Sequence, residues 1–148
     1  MQFDPQSFLD AETTTKSERR PPLPVGDYLA VIGEVSTKPG QKDDRAWVQV
    51  IIPLSIQVPP NIKQELGYTT DTLTLTDRPF LDLTESGTID WGPGRNRAIR
   101  AYREATDQNV AGESFSLRRL QGRPVKVKVT HELYNNETQE RIGGVTKP

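Results

Sequence analysis

The chain carries few residues able to do covalent or metal chemistry. It has no Cys and a single His, His131, so disulfides, thiol nucleophiles, Cys-ligated clusters and sites built on two imidazoles are all excluded. Carboxylates remain. Asp82, Glu85 and Asp90 could gather a hard cation, as could Asp43 and Asp44, but neither set has a diagnostic ligand spacing. Ser114 and Ser116 lack a nucleophile-elbow context, and His131 next to Glu132 has no triad pattern. Gly92-Pro93-Gly94-Arg95 completes neither phosphate-loop spacing and reads as a turn leading into a helix. The expectation is therefore no enzyme, no metal and no cofactor.

A second kind of chemistry, non-covalent recognition of a polyanion, needs cations for phosphates and aromatic faces for bases. Here the residues are more informative. Net charge is −1, yet residues 1–90 hold 14 acids against 8 bases, while Arg95 to Lys128 holds nine bases against three acids. Trp47 and Tyr68 fall on outward positions of expected strands, Tyr134 sits at an expected hairpin, and Lys38, Lys42, Lys126 and Lys128 lie nearby or on strand faces. The competing reading of Trp47 is an outward ring that packs under an arm or loop. Arg97, Arg100 and Arg103 share one helix face, and either phosphate contact or simple solvation would account for them.

These residues must be held by elements that the pattern predicts. Residues 1–24 are polar and aperiodic and end in a Pro cluster, which marks a flexible acidic and aromatic arm. Its Phe3, Phe8 and Leu9 suit self-association or docking on a protein partner, and a passive tail is the alternative. Residues 25–148 form one domain. Gly26 to Val35 is apolar on both faces, as a central strand is, with a bend at Gly33. Ser36 to Asp44 is expected as a polar loop. Arg45 to Ile52 alternates, with Val48, Val50 and Ile52 inward and Trp47, Gln49 and Ile51 outward. Leu54 to Val58 is expected as a short edge strand, Asn61 to Leu66 as a helical turn closed by Gly67, and Tyr68 to Thr76 as a strand with Thr residues outside.

Arg78 to Thr84 is expected as a further short strand. Arg95 to Thr106 has the 3.6-residue period of an amphipathic helix. Gly122 to Thr130, with Val125, Val127 and Val129 inward, is expected to pair across Asn135-Asn136 with Gln139 to Val145. Five strands with a helix between the third and fourth is the order of a Greek-key oligonucleotide-binding barrel. The fold class expected is thus mainly β, a five-stranded barrel plus the arm. No apolar run is long enough for a membrane span, and the polar start is not that of a signal peptide.

The C-terminal half also resembles phage-encoded single-stranded DNA-binding proteins of that barrel class. The resemblance rests on YREATDQN (Tyr102 to Asn109) followed by SFSLRRLQGRPVKVKVTHELYNNE, in which Leu120, Gly122, Val125, Val127, Val129, His131 and Tyr134 match a leucine, glycine, alternating-valine, hairpin pattern. Pro24 to Val35 resembles the corresponding first strand, so about half the chain is covered. The resemblance implies cooperative, sequence-independent binding of single-stranded DNA in phage replication or recombination, in the host cytoplasm. One feature departs from it. Bacterial and many phage members end in an acidic recruiting tail, whereas this chain ends Val145-Thr146-Lys147-Pro148, which leaves any such role to the N-terminal arm. The alternative from a different class is a virion component, a capsid-decorating barrel whose arm locks onto a neighbour.

Overall fold

The computed structural model describes residues 3–148. Its centre is a mainly antiparallel sheet of six strands: β1 (Gly26–Ile32), β2 (Ser36–Lys42), β3 (Arg45–Gln57), β4 (Thr72–Asp77), β5 (Pro124–Tyr134) and β6 (Glu137–Thr146). The ladder order is β2-β3-β1-β5-β6, with β4 on the other side of β3. This corrects the expected five-stranded closed barrel. The sheet is open, because β4 and β6 approach within 8 Å between some Cα atoms while no ladder joins them.

The extra strand comes from the segment expected as a loop. Asp43 and Asp44 both take positive φ, 50° and 60°, the backbone of a two-residue hairpin turn whose twist matches its flanking strands. Ser36–Lys42 is therefore laid along β3, with Ser36 opposite Ile51 and Lys42 opposite Arg45. Pro39, which cannot donate to a ladder, is tolerated because β2 is an edge strand. At Gly33 the chain leaves β1 and is held by its N–H donating to the Pro53 carbonyl at 2.8 Å. β1 thus pairs with the far half of β3 and β2 with the near half. For the same reason Leu54 to Gln57 is no edge strand: it is the central half of a long β3, flanked by β1 and β4.

Alternation fills the core from one side of this sheet. Tyr28, Ala30 and Ile32 of β1, Val50, Ile52, Leu54 and Ile56 of β3, and Val125, Val127 and Val129 of β5 are buried. Two short helices, α1 (Pro5–Asp10) and α2 (Pro60–Leu66), bury no residue. α2 ends at Gly67 in the left-handed region, φ 72°, where a residue without Cβ is favoured. The longer α3 (Arg97–Ala105) packs Ile99, Tyr102 and Ala105 into the core and lies against β6. Burial at about 25 cal/mol per Å² makes this apolar stripe, rather than helix propensity, the main support of so short a helix.

The loop between β4 and α3 replaces the expected short strand at Arg78 to Thr84. It meets β3 through one isolated bridge, Phe80 with Gln49, while a second, Leu83 with Ile89, closes within the loop itself. Asn96 organises it. This buried side chain accepts from Asp82 N at 2.8 Å and donates to the carbonyls of Asp82 and Asp90, while its own N–H donates to the Asp82 carboxylate at 2.7 Å. Asp82 and Asp90 are thereby committed to the loop's internal bonding.

The arm is attached at its inner end. Leu23 is fully buried. Its N–H donates to Glu140 Oε2 at 3.0 Å, and its carbonyl lies 2.7 Å from His131 Nε2. His131 and Glu140 are cross-strand partners on β5 and β6, so the sole histidine is a clamp on the inner end of the arm, a strap of residues 19–24, donating from Nε2. Arg20 adds an ion pair to Glu140 at 2.7 Å and Arg19 one to Glu137 at 3.1 Å. Residues 3–18 are exposed.

Candidate nucleic-acid interface

Cross-strand partners in an antiparallel ladder share a face. Trp47 is opposite Gly40 and Gln49 opposite Lys38, and β3 buries Val50, Ile52, Leu54 and Ile56, so Trp47, Gln49, Lys38, Gly40, Lys42 and Arg45 all lie on the outer face. Trp47 is half-buried because its indole lies over Gly40, where any Cβ would overlap the ring. On the other side Phe80 meets it edge to face, ring centroids 5.7 Å apart. Phe80 itself is 62% exposed. Its place beside Gln49 is fixed by two backbone bonds, Val50 N to Pro79 O at 2.8 Å and Leu81 N to Val48 O at 2.9 Å, and by Gln49 Nε2 donating to the Arg78 carbonyl at 3.1 Å.

The result is a shallow, open hollow walled by Lys42, Asp43, Arg45, Ala46, Trp47 and Phe80. Lys38, Lys42 and Arg45 are exposed along its edge, and none of them takes part in an ion pair among the described residues. Two rings side by side, rimmed by cations and open to solvent, can stack an unpaired base and neutralise its phosphates. The hollow has no enclosed cavity in which to hold a small molecule. Lys38 and Lys42 thus reach this face from a strand rather than from the loop expected for them.

The other site residues read from the sequence do not join this group. Tyr68 lies ahead of β4 and not on it; its hydroxyl donates to the Pro21 carbonyl at 2.5 Å, and the Arg20 guanidinium stands 5.8 Å above its ring. The Tyr68 pKa is raised by burial, with the Arg20 charge and hydrogen bond partly opposing it. For Arg20 burial opposes the charge, but the hydrogen bond and charge of Glu140 outweigh it and raise the pKa. Tyr68 therefore fastens the strap. Lys126 and Lys128 are on β5, opposite Leu29 and Asp27 of β1, and β1 borders the far half of β3 rather than the Trp47 half. They share an outer face with the exposed Leu29 and Val31. Tyr134 is exposed at the tip of the β5–β6 hairpin, next to Asn135 and Asn136 with φ 50° and 63°.

Phe80 was not legible as part of a site from spacing, since only the bridge to Gln49, 31 positions away in sequence, brings it to Trp47. A second group also emerges. Arg103, for which the sequence left phosphate contact and solvation both open, stands over the Phe115 ring at 4.5 Å and the Trp91 ring at 5.3 Å. Among the described residues no helix is long and apolar enough to cross a membrane. No protein-family model and no curated protein matches the chain.

Proposed function

We propose that the protein binds single-stranded DNA without sequence preference, through the outer face of β2 and β3. The single observation that carries this reading is the Trp47–Phe80 pair, two rings 5.7 Å apart at a surface edged by Lys38, Lys42 and Arg45. Stacking on π-faces tolerates every base, and the cations follow the backbone rather than base edges, so this chemistry is indifferent to sequence. Duplex DNA hides its base faces in the stack and would lose the aromatic contribution. The strand order, read with β1 and β2 as one kinked first strand, supports an opened oligonucleotide-binding barrel, in which the ligand crosses the second and third strands. The second of those strands is β3, which carries Trp47 and, at Gln49, the bridge to Phe80. A role in phage DNA replication or recombination belongs to the same proposal. A virion role remains the second reading, favoured by the exposed Phe8 and Leu9 of α1, which bury nothing within the chain.

Trp47→Ala tests the site. Removing a stacked aromatic should weaken binding of oligo-dT by about 5- to 150-fold, equivalent to about 1 to 3 kcal/mol. Since the indole rests on the outside of the sheet, the thermal midpoint should fall only slightly. A midpoint lowered sharply, in keeping with the roughly 3 to 5 kcal/mol cost of truncating a core aromatic, with unchanged affinity in the folded fraction, would make Trp47 a packing residue and remove the site.

A further inference from the structure

The loop that begins at Phe80 ends in a second aromatic and cationic group. Trp91 and Phe115 meet edge to face, centroids 5.8 Å apart, and Arg103 covers both rings while its Nε donates to the Gln108 carbonyl at 3.1 Å. Trp91 is held in place by these contacts yet keeps 46% of its surface exposed. Next to it, Gly92 and Gly94 present no side chain, so a ligand can approach the backbone closely. Arg95 and Arg100 line the same cleft, which measures about 180 Å³. That is too small to enclose a cofactor and suits part of a longer molecule lying across it.

Both arginines are exposed and their ion pairs are long, Arg95 to the partly buried Asp90 at 3.5 Å and Arg100 to the exposed Glu104 at 3.7 Å. Solvated pairs of this kind contribute little and give way readily to a phosphate. The cleft is also tied to the Trp47 face, because Asn96 holds both Asp82 and Asp90 at the two ends of the intervening loop. The two aromatic groups thus stand on one frame.

We propose that Trp91, Arg95 and Arg100 form a second contact for the same single strand: a base stacks on Trp91, and Arg95 and Arg100 each hold a phosphate. Arg103 is a positioning residue that fixes the Trp91 ring. The ligand class rests on the single-strand reading given above, whereas the site rests on its own geometry.

The chain has two tryptophans, so Trp47→Phe and Trp91→Phe each leave one fluorescent reporter. Each variant is titrated with oligo-dT at low salt until anisotropy of a labelled strand shows saturation. Quenching of Trp91 in Trp47→Phe is expected, as is quenching of Trp47 in Trp91→Phe. Independently, Arg95→Ala combined with Arg100→Ala should make the log–log salt slope shallower by about 1.4, from about 0.7 per phosphate, with an unchanged melt. An unquenched Trp91 at saturation, or an unchanged slope, overturns the second contact. If Trp47 still responds, the first face stands. Failure of the unmodified protein to bind overturns the single-strand reading itself. Equal quenching of Trp91 by millimolar dTMP and by a long strand would assign the cleft to free nucleotides and overturn the shared-strand proposal.

Discussion

Gly40 does at residue scale what an aromatic platform requires. The indole of Trp47 lies against its backbone, and a methyl there would overlap the ring. Gly40→Ala should therefore tilt or displace Trp47 without removing it, and weaken oligo-dT binding by at least several-fold. Near-ultraviolet circular dichroism would report the changed indole environment and anisotropy the lost affinity. Tyr102 has a different consequence. It is buried, with its hydroxyl donating to Asp77 Oδ2 at 2.7 Å, and its pKa is pushed up first by burial and then by the charge and hydrogen bond of Asp77. A folded-state pKa above the unfolded value, about 10 for tyrosine, contributes stability that is complete below that pH and is lost as pH rises through the folded pKa. Tyr28 and Tyr68 are shifted the same way, in each case chiefly by burial. The urea midpoint should thus decline above about pH 10, and less steeply in Tyr102→Phe. An identical decline in that variant would show that Tyr102 does not carry the effect. At neutral pH the same variant should lose about 1.5 to 3 kcal/mol, the contribution typical of a hydrogen bond to a charged group.

Among the elements, the strap and β2 depart most from expectation. Residues 19–24 were expected to be part of a flexible arm, yet Leu23 is a core residue whose two backbone polar groups are taken by His131 and Glu140. Deleting residues 1–16 should leave the urea midpoint almost unchanged. Deleting 1–24 should lower stability by about 2 to 5 kcal/mol, as loss of a buried leucine does, and more if the largely buried Glu140 carboxylate is left unpaired. Equal midpoints for the two truncations would contradict the clamp. Residue pattern made the regular parts legible: the alternating valines of β5, the inward and outward positions of β3, the arc of α3 and the Asn135-Asn136 turn were all readable because burial imposes a period on them. What was not legible depends on pairing. Pro39 and Gly40 are breakers by type, but on an edge strand Pro costs no ladder bond and Gly40 gives the Trp47 ring its seat. Tyr68 continued the Thr alternation of β4 in sequence, while the chain bends between them and its hydroxyl turns to Pro21. No local pattern encodes the approach of Phe80 to Trp47 or of Arg103 to Trp91.

For the whole molecule, the net charge of −1 says little about where a polyanion would be attracted, because fields act over about a Debye length and not through the sum. The acids of the arm lie outside the folded body, and the cations of the proposed face stand on β2 and the start of β3. Lys38, Lys42 and Arg45 would neutralise about three phosphates, giving a log–log salt slope near −2, with about −1.4 more if the Arg95 and Arg100 contact joins them. Fluorescence anisotropy of labelled oligo-dT, titrated with the unmodified protein at two salt concentrations in the presence and absence of unlabelled duplex, measures this most directly. The account predicts tight binding at low salt that weakens with a slope of about −2 to −3.5 and resists duplex competitor. Absence of binding at low salt, or displacement by duplex as effective as by single strands, would contradict it.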